Sequence, residues 1–182
     1  TPVKDSILIN VRPKPQNSVI ADKIHGCVPL TVYFEETSPN TGQTYLWNFG
    51  EGGYSELKQP VYTYNKPGQY NVTLEIRDNY GCVNKRVREN YIQVYSTPTA
   101  NFYPDPEVAT MVSAEILFNN QSVDGEYFYW FFGDGDSSNY VSPRHTYDDI
   151  GQYEVMLVAE TYHGCKDTAY QNVVVGNEFS FY

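Results

Sequence analysis

The stretch Trp130–Asp136 reads Trp-Phe-Phe-Gly-Asp-Gly-Asp, and a variant of it, Trp-Asn-Phe-Gly-Glu-Gly-Gly, stands at Trp47–Gly53. These hold the only two tryptophans of the chain, 130 − 47 = 83 positions apart. Alternation puts Tyr45, Trp47 and Phe49 on one face of a strand, and Phe128, Trp130 and Phe132 on one face of another. Gly50 and Gly133 then let the backbone reach positive φ, and the acidic residues beside them suit a tight turn. Each stretch therefore reads as a core strand running into a hairpin, with Trp47 and Trp130 as core residues.

The same offset recurs along the chain. Pro60 matches Pro143, Tyr64 matches Tyr147, Gly68-Gln69-Tyr70 matches Gly151-Gln152-Tyr153, and Gly81-Cys82 matches Gly164-Cys165. The apolar spacing is two throughout and Gly and Pro interrupt it often, so the reading is all-β with no helix. A period of this length marks two copies of one small all-β domain. We place the domains at 17–95 and 99–176, with linkers at 12–16 and 96–98. Residues 1–11, where Ile7, Ile9 and Val11 alternate, read as the last strand of a further, upstream repeat. The first copy is expected to use strands at Ser18–Ile24, Leu30–Glu36, Thr44–Phe49, Tyr54–Leu57, Val61–Tyr64, Gln69–Asp78 and Lys85–Tyr95. The second is expected to use Thr99–Tyr103, Ser113–Asn119, Tyr127–Phe132, Ser137–Tyr140, Arg144–Tyr147, Gln152–Thr161 and Asp167–Val175.

These repeats resemble PKD domains. The family pattern is Trp-Asp-Phe-Gly-Asp-Gly, then His-Thr-Tyr, then Pro-Gly-x-Tyr-x-Val-x-Leu. The chain carries His145-Thr146-Tyr147 and Tyr62-Thr63-Tyr64, then Pro67–Leu74 and Ile150–Leu157 in the third position. Asn48 and Phe131 replace the family's first Asp, and Glu51 the second in the first copy. The resemblance implies a seven-stranded, immunoglobulin-like sandwich for each copy, of a kind found in extracellular proteins. In such a sandwich Tyr70 and Tyr153, opening the sixth strand, would act as tyrosine corners with the hydroxyl bonded to backbone. Residues 177–182 are similar to the lead-in to the C-terminal sorting domain of gliding-motility-associated surface proteins of Bacteroidota, which leave by the type IX route. The entry Gly26–Phe34 to the second strand is similar to that of repeats in those proteins.

Charge narrows the function. With 12 Lys+Arg against 22 Asp+Glu the net charge is −10, which excludes phosphate-backbone binding as a main role and disfavours anionic membranes. No apolar run is long enough to insert in a membrane. The three histidines, His25, His145 and His163, show no metal-ligand spacing, and no nucleophile elbow or phosphate loop occurs. We expect no enzyme and no cofactor. Calcium is the metal to consider, because Asp134 and Asp136 offer hard oxygen donors on a loop, and Asp148 and Asp149 lie in another loop of the same copy. Short glycosylation patterns stand at Asn71-Val72-Thr73 and Asn120-Gln121-Ser122, and at Asp5-Ser6-Ile7 and Asp167-Thr168-Ala169.

Three cysteines is an odd count. In an immunoglobulin-like sandwich Cys27, before the second strand, and Cys82, after the sixth, lie at opposite ends, roughly 20 Å apart, beyond disulfide reach. Repeats in head-to-tail order would instead bring the loop of Cys27 to that of Cys165, so the expected bridge is Cys27–Cys165. Cys82 would face the upstream repeat. Alternation also turns Tyr129 and Phe131, and Met156 and Val158, outward on neighbouring strands of the second copy. The first copy has the more polar Leu46, Asn48, Thr73 and Glu75 there. This patch is the expected contact surface, for a protein partner or for sugar rings. The functional expectation is a non-catalytic stalk or spacer of a large secreted or outer-membrane-associated surface protein, adhesin-like, with neighbouring repeats as partners. The alternative is a polysaccharide- or protein-binding accessory module of a secreted adhesin or hydrolase.

Overall fold

The computed structural model describes residues 11–39 and 42–177. The chain divides into two compact units, Thr1–Val94 and Tyr95–Tyr182. The expected strand within 1–11 and the lead-in at 177–182 lie, but for Val11 and Asn177, outside the described residues.

The first unit contains β1 (Val19–Ala21), β2 (His25–Cys27), β3 (Leu30–Glu36), β4 (Thr44–Asn48), β5 (Tyr54–Ser55), β6 (Val61–Tyr64), β7 (Gly68–Arg77) and β8 (Val83–Tyr95). One sheet has the order β1-β3-β6 and the other β2-β8-β7-β4-β5. The second unit contains β9 (Phe102–Asp105), β10 (Val108–Thr110), β11 (Glu115–Asn120), β12 (Tyr127–Phe131), β13 (Ser137–Ser138), β14 (Arg144–Thr146), β15 (Gly151–Glu160) and β16 (Lys166–Gly176). Its sheets have the orders β14-β11-β9 and β10-β16-β15-β12-β13. Each unit is a β-sandwich, as expected.

The first strand of each sandwich is not continuous, however. It breaks into two pieces that join opposite sheets. In the first unit Asp22 ends the pairing with β3, because its carboxylate accepts the Tyr33 amide at 2.8 Å in place of a backbone carbonyl. The chain then crosses, and Ile24 O receives the Gln93 amide of β8 at 2.8 Å. Cys27 therefore belongs to an edge strand of the larger sheet, where a loop was expected. In the second unit Pro106 follows β9, and β10 then runs parallel to β16. The β10 segment was not expected at all, because three residues are too few to show a period.

Alternation along the strands builds the cores. Trp47 is fully buried with Val32, Phe34, Tyr64, Leu74 and Ile92 about it, and Trp130 with Ile116, Phe118, Tyr147, Leu157 and Val173. Both indoles donate to a backbone carbonyl ten residues on, Trp47 Nε1 to Leu57 O and Trp130 Nε1 to Tyr140 O, each at 2.9 Å. That satisfies the one polar atom of an otherwise apolar side chain.

β8 is two residues longer than β16, 13 against 11, and the extra residues have a place. Between β7 and β8 the register passes from Tyr70↔Ile92 to Val72↔Arg88, so the paired numbers fall from 70 + 92 = 162 to 72 + 88 = 160. A bulge absorbs the difference, with Asn90 at φ 49° and its amide donating to Asn71 Oδ1. β15 and β16 pair without interruption.

Candidate functional site

The glycine turn after the core tryptophan is the most polar repeated feature. In the second unit, Gly133 has φ 88°, and a Cβ there would stand 2.8 Å from Glu154 O, so only glycine lets the turn lie against β15. Gly50 is placed likewise, with Asn71 O at 2.7 Å from such a Cβ. Beyond the glycine, Asp134 Oδ1 accepts the Asp136 amide at 3.0 Å, and Asp134 Oδ2 lies 2.6 Å from His145 Nε2. His145 is fixed by stacking on Phe132, at 4.1 Å between centroids and 4° between planes. Burial pushes the Asp134 carboxyl up, but the hydrogen bonds from His145 and from the Asp136 amide outweigh it and hold it below the usual carboxylate range.

The expected calcium residues Asp134 and Asp136 thus come together with a third, His145, all three ligand atoms lying within 4.8 Å of one another. Asp148 and Asp149, from the loop before β15, line the same shallow cleft. Both Asp134 oxygens are engaged by the protein itself. The first unit shows what the arrangement does for the fold. There Tyr62 takes the place of His145 and Glu51 that of Asp134; Tyr62 stacks on Phe49 at 4.4 Å and donates to Glu51 at 3.2 Å. The separation is the same, 62 − 51 = 11 and 145 − 134 = 11 residues. A ring tied to an acidic side chain braces the turn in both units. In the sequence His145 stands only as part of the His-Thr-Tyr pattern, with no sign of its partner; the repeated spacing of eleven is the available signal.

The tyrosines opening β7 and β15 donate to the backbone four residues back, Tyr70 Oη to Lys66 O at 2.8 Å and Tyr153 Oη to Asp149 O at 2.9 Å. Tyr64 and Tyr147 donate to Phe49 O and Phe132 O, and burial is the main cause that raises both phenols far above their ordinary range.

On the larger sheet of the second unit, Tyr129 stands directly opposite Val158, and Phe131 opposite Met156. Tyr129 and Phe131 are 40% and 45% exposed, while Met156 and Val158 are half-buried between their neighbours. Two further rings extend this face: Tyr127 continues the alternation of β12, and Tyr170 of β16 pairs with Met156. Sequence reasoning missed both, although Tyr127 sits two places before Tyr129. In the first unit the matching residues are Leu46 opposite Glu75 and Asn48 opposite Thr73.

Cys27 and Cys165 are disulfide-bonded, and Cys82 is a free thiol. Oxidised cysteines belong to an extracellular or otherwise oxidising setting. Of the glycosylation patterns, Asn120 has its side-chain nitrogen buried and its oxygen bonded to the Ser122 amide, which closes it to modification.

The sequence pattern of the PKD domain is matched twice, over residues 10–94 and 95–175. The chain belongs to the PKD domain family. Domains of this family are typically non-catalytic accessory modules of extracellular proteins. Over 83 residues the chain is 30% identical to collagenase ColA of Bacillus cereus, a match that covers 43% of this chain and 8% of that protein. Among solved structures it is similar to the PKD1 domain of the Vibrio cholerae metalloprotease PrtV, at 28% identity and TM-score 0.39, covering 44% of this chain and 99% of that one. The PKD1 domain of Vibrio anguillarum Epp matches at 28% identity and TM-score 0.39, covering 44% and 95%. No helix among the described residues is long and apolar enough to cross a membrane.

Proposed function

We propose that these tandem PKD domains are a spacer in a large, secreted or outer-membrane-associated surface protein of adhesin type. One observation carries this reading. The chemistry-bearing residues that recur in both units, the ring–acid pairs of the turns and the corner tyrosines, are spent on bracing the sandwich. A spacer needs stable, repeatable bodies and short connections; Pro13, Pro15 and Pro98 stiffen the entries to the two units. A Cys27–Cys165 bridge would add a covalent tie, and it is these two cysteines that are oxidised. The Gly26–Phe34 entry and residues 177–182 favour a gliding-motility-associated protein exported by the type IX route. The test is replacement of both units, in the parent protein, by two unrelated immunoglobulin-like sandwiches of equal length. Retained surface attachment supports a spacer, and lost attachment overturns it.

The second reading, a binding module, is favoured by the aromatic face of Tyr129 and Phe131 with Met156 and Val158. An exposed apolar face of this kind fits a protein partner, or sugar rings stacking on Tyr129. A Tyr129→Ser, Phe131→Asp double variant that melts like the parent but loses binding or attachment would establish it. Unchanged binding removes the patch from consideration.

A further inference from the structure

We infer that Cys82 is one half of a second disulfide, whose other half is a cysteine placed like Cys27 in a PKD repeat preceding the first unit. This rests on the spacer reading and its Cys27–Cys165 bridge. The argument begins with the loops that carry Cys82 and Cys165, 165 − 82 = 83 positions apart. In the first, the Asp78 amide donates to Cys82 O at 3.0 Å, the Gly81 amide to Asp78 O at 3.0 Å, and the Cys82 amide to Asp78 Oδ1 at 2.8 Å. In the second, the Thr161 amide donates to Cys165 O at 2.8 Å, the Gly164 amide to Thr161 O at 2.9 Å, and the Cys165 amide to Thr161 Oγ1 at 3.1 Å. The two sulfurs are presented by the same loop hydrogen bonds. Cys165 is buried and bonded, whereas Cys82 is partly exposed and free.

The segment entering each unit repeats as well, and this is an independent observation. Tyr95, which ends β8 and is the first residue of the second unit, stacks on His163, with centroids 3.8 Å apart and planes at 11°. At the start of the first, the Arg12 guanidinium lies over the Tyr80 ring, 3.6 Å from its centroid. These are equivalent positions, 95 − 12 = 83 and 163 − 80 = 83. The entry is then tied down in both, by Asn84 Nδ2 donating to Pro15 O at 2.8 Å and by the Ala100 amide donating to Asp167 Oδ2 at 2.8 Å. The first unit is thus received by its entry segment as the second is, and its loop thiol stands where the second unit's cysteine is oxidised. The position in the second unit that matches Cys27 is Thr110, so no cysteine of this chain is left over for Cys82.

The bond forms by thiol–disulfide exchange. Two thiols, Cys82 and its partner, are oxidised to one disulfide, while a disulfide oxidant takes the two electrons and two protons and leaves as two thiols.

The test is peptide mapping without reductant on the full-length protein, with thiols capped by iodoacetamide at lysis. The expected result is a Cys82 peptide joined to a peptide from a preceding repeat, at the residue equivalent to Cys27. A carbamidomethylated Cys82, or Cys82 joined to Cys27, overturns the inference. The same map reads the partner of Cys165 separately, so failure of the Cys27–Cys165 bridge is told apart from failure of this one. In the 182-residue chain, Ellman's reagent under native conditions should titrate the single free thiol, and the signal should vanish in Cys82→Ser. A native chain that does not react has a closed Cys82 and also overturns the inference.

Discussion

The ring and the residue at the far end of each turn have to be matched in size. In the first unit a Cβ on Gly53 would run into the Tyr62 ring, around its Cε2, Cζ and hydroxyl. In the second unit the matching position holds Asp136, and the facing ring is the shorter His145. Gly53→Asp should therefore drive Tyr62 off its stack on Phe49, at 4.4 Å, and break its hydroxyl bond to Glu51. The lost stack is worth about 0.5–1.5 kcal/mol and the exposed hydrogen bond about 0.5 kcal/mol or slightly more. The variant should lose about 1–2 kcal/mol, within the ordinary cost of overpacking. Tyr62→His in that background rebuilds the arrangement of the second unit and should recover most of the loss. Urea unfolding followed by circular dichroism, at constant m value, gives the four midpoints of the cycle. The expected coupling is about 1 kcal/mol or more. If Gly53→Asp costs the same with tyrosine or histidine at position 62, the size-matching argument is wrong.

Trp47→Ala and Trp130→Ala should each cost about 3–5 kcal/mol, read from urea midpoints, because each indole is fully buried and donates to a carbonyl. Tyr70→Phe and Tyr153→Phe should each lower the urea midpoint slightly without moving the core, since only the corner hydrogen bond is removed. The Asp134 carboxyl is held below its unfolded value of 3.8, so its contribution to stability is complete above that value and is lost as pH falls through the folded one. Asp134→Asn should accordingly flatten the fall of Tm below about pH 4; an equally steep fall in the variant removes Asp134 as its cause.

Much of the fold was legible because the two tryptophans, the turn glycines and the corner tyrosines are spaced identically, and strands of five or more residues show their period. The broken first strand was not legible. In the first unit its pieces are three residues each, and the break depends on Asp22 capping Tyr33 across the sheet, a partner set by tertiary packing. The pairing of Asp134 with His145, and the cleft that Asp134 and Asp136 share with Asp148 and Asp149, escaped for the same reason: loops meet through the fold and carry no periodicity. The outward face of Tyr129 and Phe131 was readable from alternation alone, whereas Tyr170 required the register of β15 against β16.

The broken strand has a mechanical consequence. In the second unit β10 lies near the start of the sandwich and β16 at its end, and they run parallel through Val108↔Val174, Ala109↔Val175 and Thr110↔Gly176. Traction applied through the chain pulls β10 toward its N-terminal end and β16 toward its C-terminal end. The two strands are thus drawn past each other along their length. Their hydrogen bonds, including Val174 N to Glu107 O and Met111 N to Gly176 O at 3.2 Å each, are loaded in shear and share the force. An antiparallel pair gripped at adjacent ends would open one bond at a time. A three-residue segment thereby fastens the two ends of the sandwich against extension.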